Sequence, residues 1–308
     1  MLAKKLDGIV PIIPIPFNAD ESINEDDLQR AVKFAGQNGA TGICLPAYGS
    51  EFYKLDDYER ARVVMVAIEA NAGAVPLIAQ ANHASAAVAA ATARRYQAAG
   101  ADMISIAIPR QFGLRGGDVL RFLGRVADAI EAPLLVQDFN PGGQTIGPDQ
   151  VFDLHRQHEN FRYAKLEEPL MADKVVAIRD RVGDAVGILE GWGGMYMLEL
   201  IPLGICGAMP GLPLLEPLAK VYRLRKSGRD REAVTLMGQL LPFINFTLQN
   251  FEVFLHTEKR LLVKRGLFST ASVRDATYTL SAPNSSYVDL LCDYTLDVIR
   301  EARGVVNT

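Results

Sequence analysis

Over roughly its first two hundred residues the chain repeats one rhythm: a short, nearly continuous apolar run, a turn, then apolar residues at helical spacing. The apolar runs fall at 8–17, 41–46, 75–80, 103–109, 133–138, 161–166, 186–190 and 204–209. Short runs without strict polar alternation read as parallel strands covered on both faces. The stretches at 24–37, 57–72, 84–99, 117–130, 148–158, 172–182 and 194–201 carry the helical period. In the first of them Leu28, Ala31, Val32 and Ala35 share a face after a possible cap at Asn24. Several of these helices stop at a glycine before the next strand, as at Ala99-Gly100 and Leu203-Gly204. Eight strand–helix units in about 225 residues predict an α/β fold, a (β/α)8 TIM barrel. A doubly wound sheet would place a glycine-rich phosphate turn after the first strand, and Pro14-Ile15-Pro16-Phe17-Asn18 is no such turn.

Beyond 212 the alternation gives way to helical patterns alone, at 212–226, 230–252, 257–265 and 287–303. The expected organisation is a barrel over 1–228 and a C-terminal helical extension over 229–308 packed on it, without a low-complexity linker. A chain of 308 residues can bury that core without covalent staples. Cys44, Cys206 and Cys292 are odd in number, far apart and not at metal-ligand spacing, so they read as small thiols of a cytoplasmic protein.

Charge narrows the partners. Thirty-two basic against thirty-six acidic side chains give −4, which offers no footprint for nucleic acid or an anionic membrane surface. Lys4-Lys5 interrupts any signal-peptide core, and no apolar run reaches the ~18 residues of a membrane span. His83, His155, His158 and His256 do not group with carboxylates and read as surface residues. No Walker or dinucleotide signature is present either, so neither a metal nor an organic cofactor is expected. The expected partner is a small molecule.

In a TIM barrel the chemistry sits at the C-terminal ends of the strands. Those ends carry Tyr48-Gly49-Ser50-Glu51, Arg110-Gln111, Gln137-Asp138-Phe139-Asn140, Lys165-Leu166-Glu167-Glu168 and Glu190-Gly191-Trp192. Lys165 stands out because it ends an apolar strand instead of lying on a helix face. Carbonyl addition needs an uncharged amine, and burial favours that form. A structural pairing with Glu167 or Glu168 accounts for the position equally well.

The motifs resemble the dihydrodipicolinate synthase/N-acetylneuraminate lyase family of Schiff-base barrel enzymes, across essentially the whole chain. The resemblance rests on Gly8-Ile9-Val10-Pro11-Ile12-Ile13-Pro14-Ile15-Pro16-Phe17, Asn38-Gly39-Ala40-Thr41-Gly42-Ile43, Gly49-Ser50-Glu51 and Gln97-Ala98-Ala99-Gly100-Ala101-Asp102. It rests above all on Arg162-Tyr163-Ala164-Lys165-Leu166-Glu167, similar to the family's imine-lysine strand. It implies that Lys165 forms an imine with pyruvate or another 2-oxo acid, and that the protein is a homo-oligomer, dimer or tetramer.

The departures are specific. Where the family carries a tyrosine, twenty-eight residues before the lysine, this chain has Gln137, which is assigned with Lys165 and Tyr48 to the catalytic set although at ordinary pH it can only donate and accept hydrogen bonds. The family's carboxylate-binding Gly-Thr-Thr segment reads Tyr48-Gly49-Ser50, whose backbone and hydroxyl donors remain available to that role. The family's aromatic pair after the fourth strand is Arg110-Gln111, and its dicarboxylate-binding arginine is missing from Pro141-Gly142-Gly143-Gln144-Thr145. Tyr48 either supplies the lost phenol or packs at a strand end. Asp138 either holds a water or sugar hydroxyl, with Asn140 beside it, or shapes the turn before Pro141. Arg110 either grips a carboxylate or makes a rim ion pair. Gly191 and Trp192 are assigned to substrate binding, with Trp192 as a pocket floor, and Glu167 and Glu190 to supporting roles. The expected activity is that of a lyase: aldol cleavage or condensation of a 2-oxo acid through Lys165. A 2-keto-3-deoxy sugar-acid dehydratase using the same lysine, or a non-catalytic 2-oxo acid-binding descendant, are the alternatives.

Overall fold

Where the apolar runs were read, strands form: β1 (Gly8–Ile9), β2 (Ile43–Leu45), β3 (Leu77–Gln80), β4 (Met103–Ala107), β5 (Leu134–Asp138), β6 (Phe161–Leu166), β7 (Gly187–Glu190) and β8 (Gly207–Ala208). The computed structural model describes residues 5–110, 115–140 and 145–304. All eight strands are parallel, in the order β1-β8-β7-β6-β5-β4-β3-β2. The two ends of that order meet at an Ile12–Cys44 bridge, where the Cys44 N–H donates to the Pro11 carbonyl at 3.1 Å. The sheet is thus closed into a barrel. Its first strand is far shorter than the predicted 8–17, because Pro11, Pro14 and Pro16 have no N–H to give to a ladder.

Helices α1 (Glu25–Gln37), α2 (Asp57–Asn71), α3 (Ala86–Ala99), α4 (Gly116–Ala127), α5 (Pro148–Gln157), α6 (Ala172–Val182) and α7 (Met197–Leu200) follow the first seven strands. Their starts obey local chemistry. The Asn24 side chain accepts from the Asp27 N–H, and Asp56 and Glu59 form a reciprocal capping box. Gly100 ends α3 at φ 107, a conformation that L side chains avoid.

After β8 come α8 (Leu215–Lys226), α9 (Asp230–Thr247), α10 (Phe251–Lys264) and α11 (Ala282–Ala302). The break between the second and third of these corrects the predicted 230–252 and 257–265. Asn250 accepts from the N–H groups of Glu252 at 2.8 Å and Val253 at 3.3 Å, so the new helix starts directly after it. The last helix likewise begins before the predicted 287, at a Ser281 cap with Pro283 in the first turn. No helix among the described residues is long and apolar enough to cross a membrane.

Inside the barrel Cys44, Ile78, Met103, Leu135, Tyr163, Leu189 and Met209 form a buried apolar layer. Side chains along a strand return to the same face every second residue. Two positions beyond Ile78, Leu135 and Tyr163 stand Gln80, Gln137 and Lys165, at 2%, 3% and 5% exposure. A polar layer therefore lies on an apolar floor, at the barrel's C-terminal mouth. Cys44 and Cys292 are buried, Cys206 is half-buried, and none is in a disulfide.

Three of the four histidines correct the expectation of surface positions. His155, His158 and His256 are half-buried and bond to Phe161 O at 3.2 Å, the Asp128 carboxylate at 3.1 Å and Tyr278 O at 2.9 Å. An imidazole can pack its ring and still satisfy its polar tip. Only His83 is exposed.

Candidate active site

A cavity of about 370 Å³ opens over the polar layer, lined from the barrel by Tyr48, Gly49, Gln137, Phe139, Lys165, Glu167, Gly191 and Trp192. The corner between α9 and α10 closes it with residues 247–250, Phe251 and Phe254. The C-terminal helices thus supply part of the site's wall. Such a volume suits a small-molecule ligand.

Lys165 Nζ lies 2.8 Å from Glu167 Oε1. The same oxygen accepts from Gln137 Nε2 at 2.9 Å, and Gln137 Oε1 accepts from Gln80 Nε2 at 2.5 Å. The other Glu167 oxygen is buried without a hydrogen-bond partner. Burial pushes this carboxyl above the usual carboxylate range, and Lys165 and Gln137 only partly offset it. A carboxyl that holds a proton readily therefore sits against a buried amine.

Gly191 makes that arrangement possible. It follows Leu189 by two residues, where the next inward side chain would stand, and a Cβ there would lie 2.6 Å from Glu167 Oε1 and 2.7 Å from Lys165 Cε. Glu190, fully buried, shapes the turn that follows. It accepts from the N–H groups of Trp192 at 3.0 Å, Gly194 at 2.8 Å and Tyr196 at 3.4 Å. Burial pushes its carboxyl up to about 7 against those donors.

Gln137, Glu167, Tyr48, Gly49, Gly191 and Trp192 meet Lys165 at one cavity; Ser50, Arg110, Asp138, Asn140 and Glu190 do not line it. Burial pushes the Tyr48 phenol up, and its ring lies 5.2 Å from that of Phe139. Trp192 stacks on Phe139 at 6.0 Å. Ser50 is fully buried and its hydroxyl donates to the Ile13 carbonyl at 2.6 Å. Asp138 and Arg110 engage each other bidentately, at 2.9 and 2.6 Å, and Asp138 also accepts from the Ile146 N–H at 2.5 Å. Their ion pair braces the rim. Glu168 turns away from Lys165 to Lys174 and Thr145. Gln111 and the segment 141–144 lie outside the described residues.

Sequence reasoning missed Gln80, Phe139, Phe251 and Phe254. The last two stand one helical turn apart, a signal that matters only once α10 is known to reach the barrel mouth. A buried ionic cluster makes it do so. Glu51, at φ 58, pairs with Lys259 of α10, while Lys54 bridges Glu51 at 3.1 Å and Glu252 at 3.0 Å. Burial lowers the Lys259 amine to about 8, against the pull of Glu51. Among the described residues no group of three or more His, Cys, Asp and Glu is placed to hold a metal ion.

Residues 5–289 match the dihydrodipicolinate synthetase family. The chain is 29% identical over 271 residues to the L-2-keto-3-deoxyarabonate dehydratase of Azospirillum brasilense, covering 87% of each chain. A dihydrodipicolinate synthase structure from Rhodopseudomonas palustris superposes with a TM-score of 0.87 at 25% identity, covering 94% of this chain and 97% of that one. The 4-hydroxy-tetrahydrodipicolinate synthase of Methylacidiphilum fumariolicum gives 0.90 at 19% identity, over 98% and 100%, a likeness of fold.

Proposed function

The chain belongs to the dihydrodipicolinate synthetase family, and from that membership and the Lys165–Glu167 pair we propose a Schiff-base lyase that eliminates water from a 4-hydroxy-2-oxo acid. The observation that carries the reading is the 2.8 Å contact between a buried amine and a buried carboxyl in the wall of a cavity at the barrel mouth. The Lys165 amine adds to the C2 carbonyl and one water leaves, giving an imine whose protonated form draws electrons from C3. Glu167 takes the C3 proton. The resulting enamine expels the C4 hydroxyl, which leaves as water with the proton that Glu167 returns. Hydrolysis of the imine consumes one water and frees Lys165, so the net change is loss of one water from the substrate.

The backbone N–H groups of Tyr48 and Gly49 suit the substrate carboxylate. In their turn the Ser50 N–H is already given to Ala47 O and the Glu51 N–H to Tyr48 O. Gln137 does not move protons; it fixes the Glu167 carboxyl by one hydrogen bond and is itself fixed by Gln80. Elimination is favoured over aldol chemistry by the likeness to a keto-deoxy acid dehydratase. Aldol cleavage, in which the C4 hydroxyl loses its proton and the C3–C4 bond breaks, is the second reading. Tyr48 favours it, as a further acid–base group on the same cavity.

Product analysis with 4-hydroxy-2-oxo acids tests the choice. A product lighter by one water supports elimination, whereas pyruvate plus an aldehyde supports the aldol reading. The proposal extends to a homo-oligomer, dimer or tetramer, located in the cytoplasm, with 229–308 as an integral helical extension of the barrel. Sedimentation showing a stable monomer would contradict the first of these.

A further inference from the structure

The outer half of the cavity differs in kind from its floor. Trp192 stacks on Phe139, Phe139 lies 6.1 Å from Phe251, and Phe251 stacks on Phe254 at 5.7 Å. These rings come from the ends of β5 and β7 and from α10, so three separate parts of the chain build one continuous apolar wall.

The polar side chains that line the cavity are largely committed elsewhere. Gln137 donates to Glu167 and accepts from Gln80. The Thr247 hydroxyl donates to Ile244 O at 2.8 Å, and Asn250 Oδ1 caps α10. Gln249, at the exposed rim, and the Tyr48 hydroxyl have no such engagement among the described residues. The cations are committed too. Lys165 pairs with Glu167, Arg110 with Asp138, Lys54 with Glu51 and Glu252, and Lys259 with Glu51. A second carboxylate on the substrate would lose its hydration here without gaining a free positive partner among the described residues, and burying an unpaired charge is costly.

We infer that the substrate carries, beyond C4, an uncharged tail that lays an apolar face on the Trp192–Phe139–Phe251 wall, and that the site discriminates against 2-oxo dicarboxylates. The inference rests on the imine reading of Lys165 and adds the class of substrate to it. Aromatic rings contribute by area and by stacking, so a flat or aliphatic tail gains affinity as it covers the wall. A terminal carboxylate lacks that gain and carries a desolvation cost.

The test uses borohydride trapping on the full-length protein, read by intact mass, with the half-saturating concentration measured for four compounds. These are pyruvate, 2-oxopentanoate, 2-oxo-4-phenylbutanoate and 2-oxoglutarate, the last matching 2-oxopentanoate in chain length but ending in a carboxylate. The expected result is half-saturation at least about tenfold lower for 2-oxopentanoate and 2-oxo-4-phenylbutanoate than for 2-oxoglutarate. Trp192→Ala and Phe251→Ala are each expected to cut the preference for the phenyl compound over pyruvate by about tenfold. Adducts from all four at similar concentrations, or a phenyl preference untouched by both substitutions, would overturn this inference while leaving the imine intact. Absence of any adduct would overturn the imine reading and this inference with it.

Discussion

Lys165 Nζ and Glu167 Oε1 stand 2.8 Å apart, and the carboxylate reaches back from two residues past the lysine because Gly191 leaves the space between them. That contact links a local sequence fact, a lysine and glutamate two apart at a strand end, to a chemical one. The amine has a proton acceptor at hydrogen-bond distance, in a cavity that admits a small ligand.

Glu167→Gln keeps the shape and removes the proton acceptor. Turnover is expected to fall by about 10²–10⁴-fold, while trapping of pyruvate on the lysine persists. Steady-state rates together with the mass of the reduced adduct check it. An unchanged kcat would remove Glu167 from the proton transfers.

Gln137→Met removes a hydrogen bond that holds the Glu167 carboxyl down. The carboxyl then rises further, so a higher pH is needed to ionise it. The acidic limb of the kcat/KM profile is expected to move to higher pH, and a limb that stays in place or moves down contradicts the assignment.

Gly191→Ala puts a methyl group against Lys165 Cε and the Glu167 carboxylate. Both side chains must shift, and the expected outcome is a large fall in the rate of imine formation with a smaller loss of stability. Stopped-flow trapping and thermal unfolding separate the two.

Much of this was legible in the chain. Lys165 is conspicuous because a lysine at the end of an apolar strand breaks the pattern around it, and Gln137 stands at the family's tyrosine position, whereas Gln80 joins them only once the strands are paired. The closing wall was not legible. Phe251 and Phe254 lie far along the sequence in a helix whose start was misplaced, and their role depends on the Glu51–Lys259 pair, which only the tertiary fold brings together. Arg110 and Asp138 offered two readings each in sequence. Their mutual geometry commits both charges to one ion pair.

Glu258 offers a test of the buried charges behind the site. It is 4% exposed, one of its oxygens has no hydrogen-bond partner, and burial pushes its carboxyl up to about 8 despite Arg265 nearby. A carboxyl raised on folding contributes stability that is fully present below its unfolded value of 4.5 and is lost as pH rises through about 8. Glu258→Gln, neutral throughout, is therefore expected to be more stable than the wild type at pH 9 and to gain little at pH 5. Denaturant unfolding at the two pH values checks this, and an equal effect at both would contradict it.

The central claim is the imine at Lys165, and borohydride reduction in the presence of pyruvate, followed by peptide mapping, tests it most directly. One adduct per chain is expected, located on the peptide that carries Lys165 and absent from Lys165→Ala. No adduct on the wild type, or one that survives undiminished in Lys165→Ala, would contradict it.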